Sequence, residues 1–139
     1  MTGPGPGRGY LLEPGRGIDG DESLKASRAS SGGSLTLIES KTRGGAPPHV
    51  HEHEDEAMYV LDGQITVHCG GDTFVAGRGG FVFMPRGELH DWDVDSGTAT
   101  VLIIAAPGGL DEFLAEFHAA PDWGARDAVA ARFGLRFPR

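Results

Sequence analysis

Cysteine is almost missing from this chain: Cys69 is the only one in 139 residues. A lone cysteine excludes an intrachain disulfide and suits a reducing compartment. Basic residues are also scarce, with 12 Lys and Arg against 20 Asp and Glu and a formal net charge of −8. The clustered cations that nucleic-acid phosphates demand are therefore absent. No apolar run approaches the length of a membrane span, so neither nucleic acid nor membrane is an expected partner. The opening MTGPGPGRG lacks the apolar core of a signal peptide, which makes the cytoplasm the expected location.

What the chain has in quantity is punctuation: 23 glycines and 9 prolines divide it into short apolar runs. Such spacing is the mark of many short strands and tight turns. Residues 1–9 are mostly Gly and Pro with little to bury, and a disordered tail is expected there. Tyr10-Leu11-Leu12 reads as a short edge strand. Residues 23–29 and 34–41 read as strands joined through Ser30-Ser31-Gly32-Gly33. Met58–Leu61, Gln64–Cys69, Thr73–Ala76, Phe81–Met84, Asp91–Asp95 and Thr98–Ala105 continue the series. Asp62-Gly63, lying between two apolar runs, is a hairpin signal. The expected architecture is all-β, a sandwich or closed barrel of about nine or ten strands. Beyond Pro107 the period changes. Leu110, Phe113, Leu114 and Phe117 form one stripe of an amphipathic helix, capped by Gly109. A second helix is expected from about Gly124 to Phe133, ended by Gly134, with Leu135 and Phe137 as an apolar tail.

One stretch carries unusual chemistry. His49 to Glu56, HVHEHEDE, packs three histidines and four carboxylates into eight positions. In an extended segment His49 and His51 face the same way. Glu56 lies an odd number of residues beyond His51 and joins them only if a bulge or turn intervenes at 52–55. Past Glu56, Met58 shares its face and is expected to line the same cavity. A second stretch, Gly79 to His90, ends in a Pro85-Arg86-Gly87 turn that starts a strand at His90, with Trp92 and Val94 on its face. Imidazoles plus one carboxylate suit a divalent transition metal such as Fe, Mn, Ni, Co, Cu or Zn. The candidate ligands are His49, His51, Glu56 and His90, with Met58 and Trp92 as pocket walls. Two blander readings of residues 49–56 stay open: a solvated acidic loop, or a helix beginning at Pro47. His53 is read as exposed or one layer removed from the ion, His68 as a surface histidine, His118 as a helix-end cation, and Cys69 as a bystander. Arg86 is either solvated or able to steer an anionic substrate.

These residues resemble the cupins. The first cupin motif is Gly, five residues, His-x-His, three or four residues, Glu, six residues, Gly. Here His49-Val50-His51 is followed after four residues by Glu56 and after six more by Gly63. The second motif is Gly, five residues, Pro-x-Gly-x-x-His, three residues, Asn, matched by Gly79, Pro85, Gly87 and His90. Gly44 stands one position off the leading glycine, and Val94 replaces the asparagine. The stretches PPHVHEHEDEAMYVLDG and APGGLDEFLAEF look most like small single-domain cupins related to bacterial quercetin dioxygenases. The resemblance implies a cupin β-barrel (double-stranded β-helix, jelly roll) over 10–107 and a short C-terminal helical segment, 108–139, packed on it. It also implies a 3-His-1-Glu metal centre with Glu56 serving as proton acceptor. A dioxygenase acting with O₂ on a small aromatic or enolic compound is the expected function. The alternatives are a redox-neutral isomerase or polyketide-type cyclase and a non-catalytic small-molecule-binding cupin. Such barrels commonly pair, so a homodimer is expected, with Leu110 and Phe117 as contact material.

Overall fold

The structure, a computed structural model, describes residues 7–138. Most of the tail expected at 1–9 therefore lies outside the described residues; Gly7, Arg8 and Gly9 are exposed. Ten strands are found among the described residues: β1 (Leu24–Ala26), β2 (Thr36–Thr42), β3 (Ala46–His51), β4 (Asp55–Asp62), β5 (Ile65–Cys69), β6 (Asp72–Ala76), β7 (Phe81–Met84), β8 (His90–Val94), β9 (Ala99–Ala106) and β10 (Leu135–Arg136). Two helices, α1 (Leu110–Ala119) and α2 (Trp123–Phe133), precede the last of these strands.

The strands form two five-stranded antiparallel sheets, ordered β1-β2-β9-β4-β7 and β10-β3-β8-β5-β6. Together they make a jelly-roll β-barrel. Its core follows from the alternation in the sequence: Met58 and Val60 of β4, Ile65 and Val67 of β5, and Val101 of β9 point inward and are buried. The β5–β6 turn shows the turn chemistry at work. Gly70 and Gly71 have φ of 58° and 89°, the paired positive values a two-residue hairpin requires.

Two local readings are corrected by the fold. Asp62-Gly63 does not close a hairpin, because β4 pairs with β7 and β9 whereas β5 pairs with β6 and β8. The turn instead carries the chain from one sheet to the other. Tyr10-Leu11-Leu12 is not a strand. The Tyr10 hydroxyl donates to the Lys25 carbonyl at 2.8 Å, a side-chain tether in place of a backbone ladder.

The C-terminal elements close over one region of the barrel. Thr36, fully buried on β2, accepts from the Gly109 N–H at 3.1 Å and donates to the Asp111 carboxylate at 2.6 Å, pinning the start of α1. Leu110 and Phe113 of α1, Val129 and Ala130 of α2, and Leu135 of β10 then form a second apolar cluster around Ala105. Leu110 is thus buried and not free for the dimer contact expected of it, while Phe117 is partly buried.

Gly45 is the sterically demanding glycine at the entrance to β3. A Cβ there would fall 1.7 Å from the Trp92 carbonyl oxygen, whereas one on Gly44 would meet nothing within 4 Å. Gly45→Ala is expected to destabilise the protein by about 3 kcal/mol through the forced separation of β3 from β8. Gly44→Ala serves as the neutral control. Urea denaturation of the two variants checks this; equal midpoints would refute it.

Candidate metal centre

Three imidazoles come from one sheet and one carboxylate from the other. His49 and His51 alternate along β3, and His90, the first residue of β8, is the register partner of His49. Glu56 lies on β4, opposite Met84 and Ala105. The chain reaches it through the break at residues 52–54, so the interruption needed to turn Glu56 inward is present. All four side chains are buried, and one potential ligand atom from each lies within 4.8 Å of the others. That span is close to the ~4.2 Å covered by two metal–nitrogen bonds in line.

The hydrogen bonds decide which atoms face the centre. His49 Nδ1 lies 2.7 Å from the Pro47 carbonyl oxygen and His90 Nδ1 3.3 Å from that of Glu88. A carbonyl can only accept, so these nitrogens carry the protons and donate. His51 Nδ1 donates to the Glu54 carboxylate at 2.6 Å. Every Nε2 is left pointing inward: His49 Nε2 is 3.1 Å from His51 Nε2, and His90 Nε2 is 2.9 Å from Glu56 Oε2. Such converging lone pairs repel unless positive charge lies among them. Protons or a divalent cation can supply it, and the donor set fits a first-row transition ion.

Glu54 is the functional candidate that the spacing did not reveal. It is buried, in contrast to its exposed neighbours Glu52 and His53. Its carboxylate fixes the tautomer and ring orientation of His51 and strengthens that ring as a donor. Glu54→Gln is expected to weaken divalent-metal binding by roughly 10–100-fold while leaving the fold intact. Competition with a chromogenic chelator measures this; an unchanged affinity would argue against the role.

The turn that delivers His90 is tied to the rest of the site. The Gly87 N–H donates to the His51 carbonyl at 2.8 Å. Arg86 donates through its backbone N–H and its guanidinium to Asp55, at 3.0–3.2 Å. Those hydrogen bonds hold the Asp55 carboxyl below its ordinary range. Arg86 is consequently occupied at the surface rather than aimed at a substrate. His68 pairs with Asp91 on the surface, His53 is exposed and outside the donor group, and Cys69 is buried beside the β5–β6 turn.

Beside the donors lies a cavity of about 310 Å³, at the small end for ligand pockets. Trp92 lines it together with His49, His51 and Glu56. Met58, the other expected wall, is absent from the lining and packs deep in the barrel core. It shares an inward face with Glu56 but sits further along the strand, away from the end that α1 covers.

Burial drives His49 down to about 4, with the charge of His90 adding to the effect. Burial pulls on His51 as well, but the hydrogen bond to Glu54 and the charge of Glu56 prevail and raise it. Glu56 is pushed up by burial, yet the hydrogen bond from His90 and the charge of His51 leave it lowered. In the metal-free protein the unfolded chain protonates His49 near its ordinary value of 6.5, the folded chain only near 4. The unfolded state binds more protons in that window, so stability falls as pH drops through it, by on the order of 3 kcal/mol. The stabilisation from His51 is complete below 6.5 and is lost only as pH rises through its folded value, so it does not reverse this slope. The stabilisation from Glu56 is present above 4.5 and fades only below it. Urea midpoints in a chelator across this range should decline toward acid and flatten in His49→Gln; a flat parent profile would contradict the assignment.

Comparison with known proteins places this geometry. The cupin-domain profile matches residues 36–106, which is β2 through β9 and half of the chain. The chain belongs to the cupin family. Among curated proteins it is similar to quercetin 2,3-dioxygenase of Bacillus subtilis (strain 168), with 27% identity over 111 residues. That alignment covers 75% of this chain and 33% of the relative, so the cupin described here spans about a third of that protein's length. Among solved structures, KdgF from Halomonas sp. superposes with a TM-score of 0.56 at 23% identity, covering 64% of this chain and 79% of that one. A Streptomyces PAC13 variant with uridine superposes with a TM-score of 0.55 at 14% identity, covering 77% and 70%. Similarity at this level establishes the shared fold and leaves the reaction to the site itself.

Proposed function

We propose that this cupin holds one divalent transition metal on His49, His51, Glu56 and His90 and is a dioxygenase for a small aromatic or enolic compound. The observation that carries the reading is the division of labour on each imidazole: Nδ1 is occupied by an acceptor, while Nε2 of His90 and His51 faces Glu56 and Nε2 of His49 faces Nε2 of His51. The similarity to a quercetin dioxygenase supports the reaction class. Bound there, the metal supplies Lewis acidity toward a phenol or enol oxygen and access to O₂ chemistry.

The protein's own residues do the remainder. Glu56, kept ionised at neutral pH by its histidine neighbours, accepts the proton that an enol or phenol releases on binding. His90 and His51 flank that carboxylate at 2.9 and 3.5 Å and hold it in place. Trp92, Ile103 and Phe113 give the cavity apolar walls that keep water from reactive species.

An oxygen electrode tests the proposal. Protein reconstituted separately with Fe, Mn, Ni or Co should consume O₂ in proportion to substrate across a panel of flavonols, catechols and β-diketones. No uptake above the metal-free control, with isomerised or dehydrated product instead, would replace this reading with a redox-neutral one.

A further inference from the structure

The cavity is built from two parts of the chain with different standing. Its donor side belongs to the barrel, within the residues the cupin profile covers. Its opposite side comes from residues 110–137, beyond that match: Leu110, Phe113, Phe117 and His118 of α1, then Leu135 and Phe137. The wall reaches the donors themselves. Phe137 stacks on the His49 ring with centroids 5.6 Å apart and planes 26° from parallel, and on Phe117 at 5.2 Å and 22°.

Phe137 is held where it can do this. β10 pairs with β3 through Leu135↔His51 and Arg136↔Val50, the Gly134 carbonyl accepts from the Glu52 N–H at 2.8 Å, and Arg136 pairs with Glu52 at 2.8 Å. The position of the ring is thus linked by strand register to the position of the two β3 histidines. The charge of the lining points the same way. Among the described residues it contains no lysine or arginine, and Glu56 is the one carboxylate. Away from the donor group, a phosphorylated or carboxylated body would meet no basic side chain but His118, whereas a flat uncharged ring would find Trp92 and the Phe137–Phe117 stack.

We propose that the C-terminal segment is the specificity element of this cupin and that Phe137 is its specificity-determining residue. It selects an uncharged, flat aromatic body that presents two oxygens to the donor group, over an aliphatic chelator of similar bite. The proposal rests on the metal reading above.

The test uses the full chain loaded with cobalt(II) and two probes that each chelate through two oxygens, 4-nitrocatechol and acetohydroxamate. Phe137→Leu should weaken 4-nitrocatechol binding by about 3–10-fold, the scale of one aromatic contact, with acetohydroxamate unchanged. Phe137→Trp, which keeps a flat face, should preserve the parent ratio of the two constants. Cobalt content after gel filtration reports whether each variant is folded at the site. Both probes shifting together, neither shifting, or a Trp variant that loses selectivity as the Leu variant does would overturn the proposal. Failure of the metal reading would show separately, as a parent chain that retains no cobalt, and the proposal would fall with it.

Discussion

His90→Gln leaves a folded barrel that retains almost no metal. His90 is 2% exposed, and its ring supplies one of three inward nitrogens. Glutamine at this position keeps an amide that can donate to Glu56 in place of the 2.9 Å bond from Nε2, so the buried carboxylate is not stranded. The substituted side chain is far poorer as a transition-metal donor. Even the loss of a group supporting a ligand costs roughly 10–100-fold in metal affinity, and loss of the ligand itself is expected to exceed that upper figure. A binding partner stabilises the native state by mass action, so parent protein should melt higher with added metal while the variant does not respond. Metal content by elemental analysis and melting curves with and without metal measure both effects. Equal metal retention by parent and variant would show that His90 is a neighbour and not a ligand.

Glu56→Gln should lower turnover per bound metal by about 10²–10⁴-fold, the usual contribution of a positioned general base. Glutamine preserves the shape and an oxygen but can neither carry the negative charge nor accept the proton. Normalising to bound metal separates this loss from weaker metal binding, since Glu56 also belongs to the donor group. An unchanged rate per metal would move the proton-accepting role elsewhere, and Glu54, 2.6 Å from His51 Nδ1, would be the next residue to examine. Together the two variants separate holding the ion from using it.

Much of this was legible in the residues themselves. Short alternating apolar runs indicated strands, and two spaced motifs singled out four donors that the fold brings together across both sheets. Periodicity identifies a face and says nothing of depth, which is why Met58 is expected to line the cavity and is found in the core. A turn signal likewise marks a reversal without saying which sheet receives the next strand, so Asp62-Gly63 looked like a hairpin. Glu54 lies in an irregular segment where no period applies, and only the hydrogen bond to His51 distinguishes it from the exposed Glu52. The helical stripe of Leu110, Phe113, Leu114 and Phe117 correctly announced an apolar face. What covers such a face is a tertiary matter, and here it turns inward over the cavity.

The most direct measurement is an anomalous-difference map from crystals of the metal-loaded protein, collected on either side of the metal's absorption edge. One peak should appear about 2.0–2.2 Å from Nε2 of His49, His51 and His90 and from a carboxylate oxygen of Glu56. A map with no peak among those four groups, or with its peak at a surface pair such as His68 and Asp91, would contradict the account.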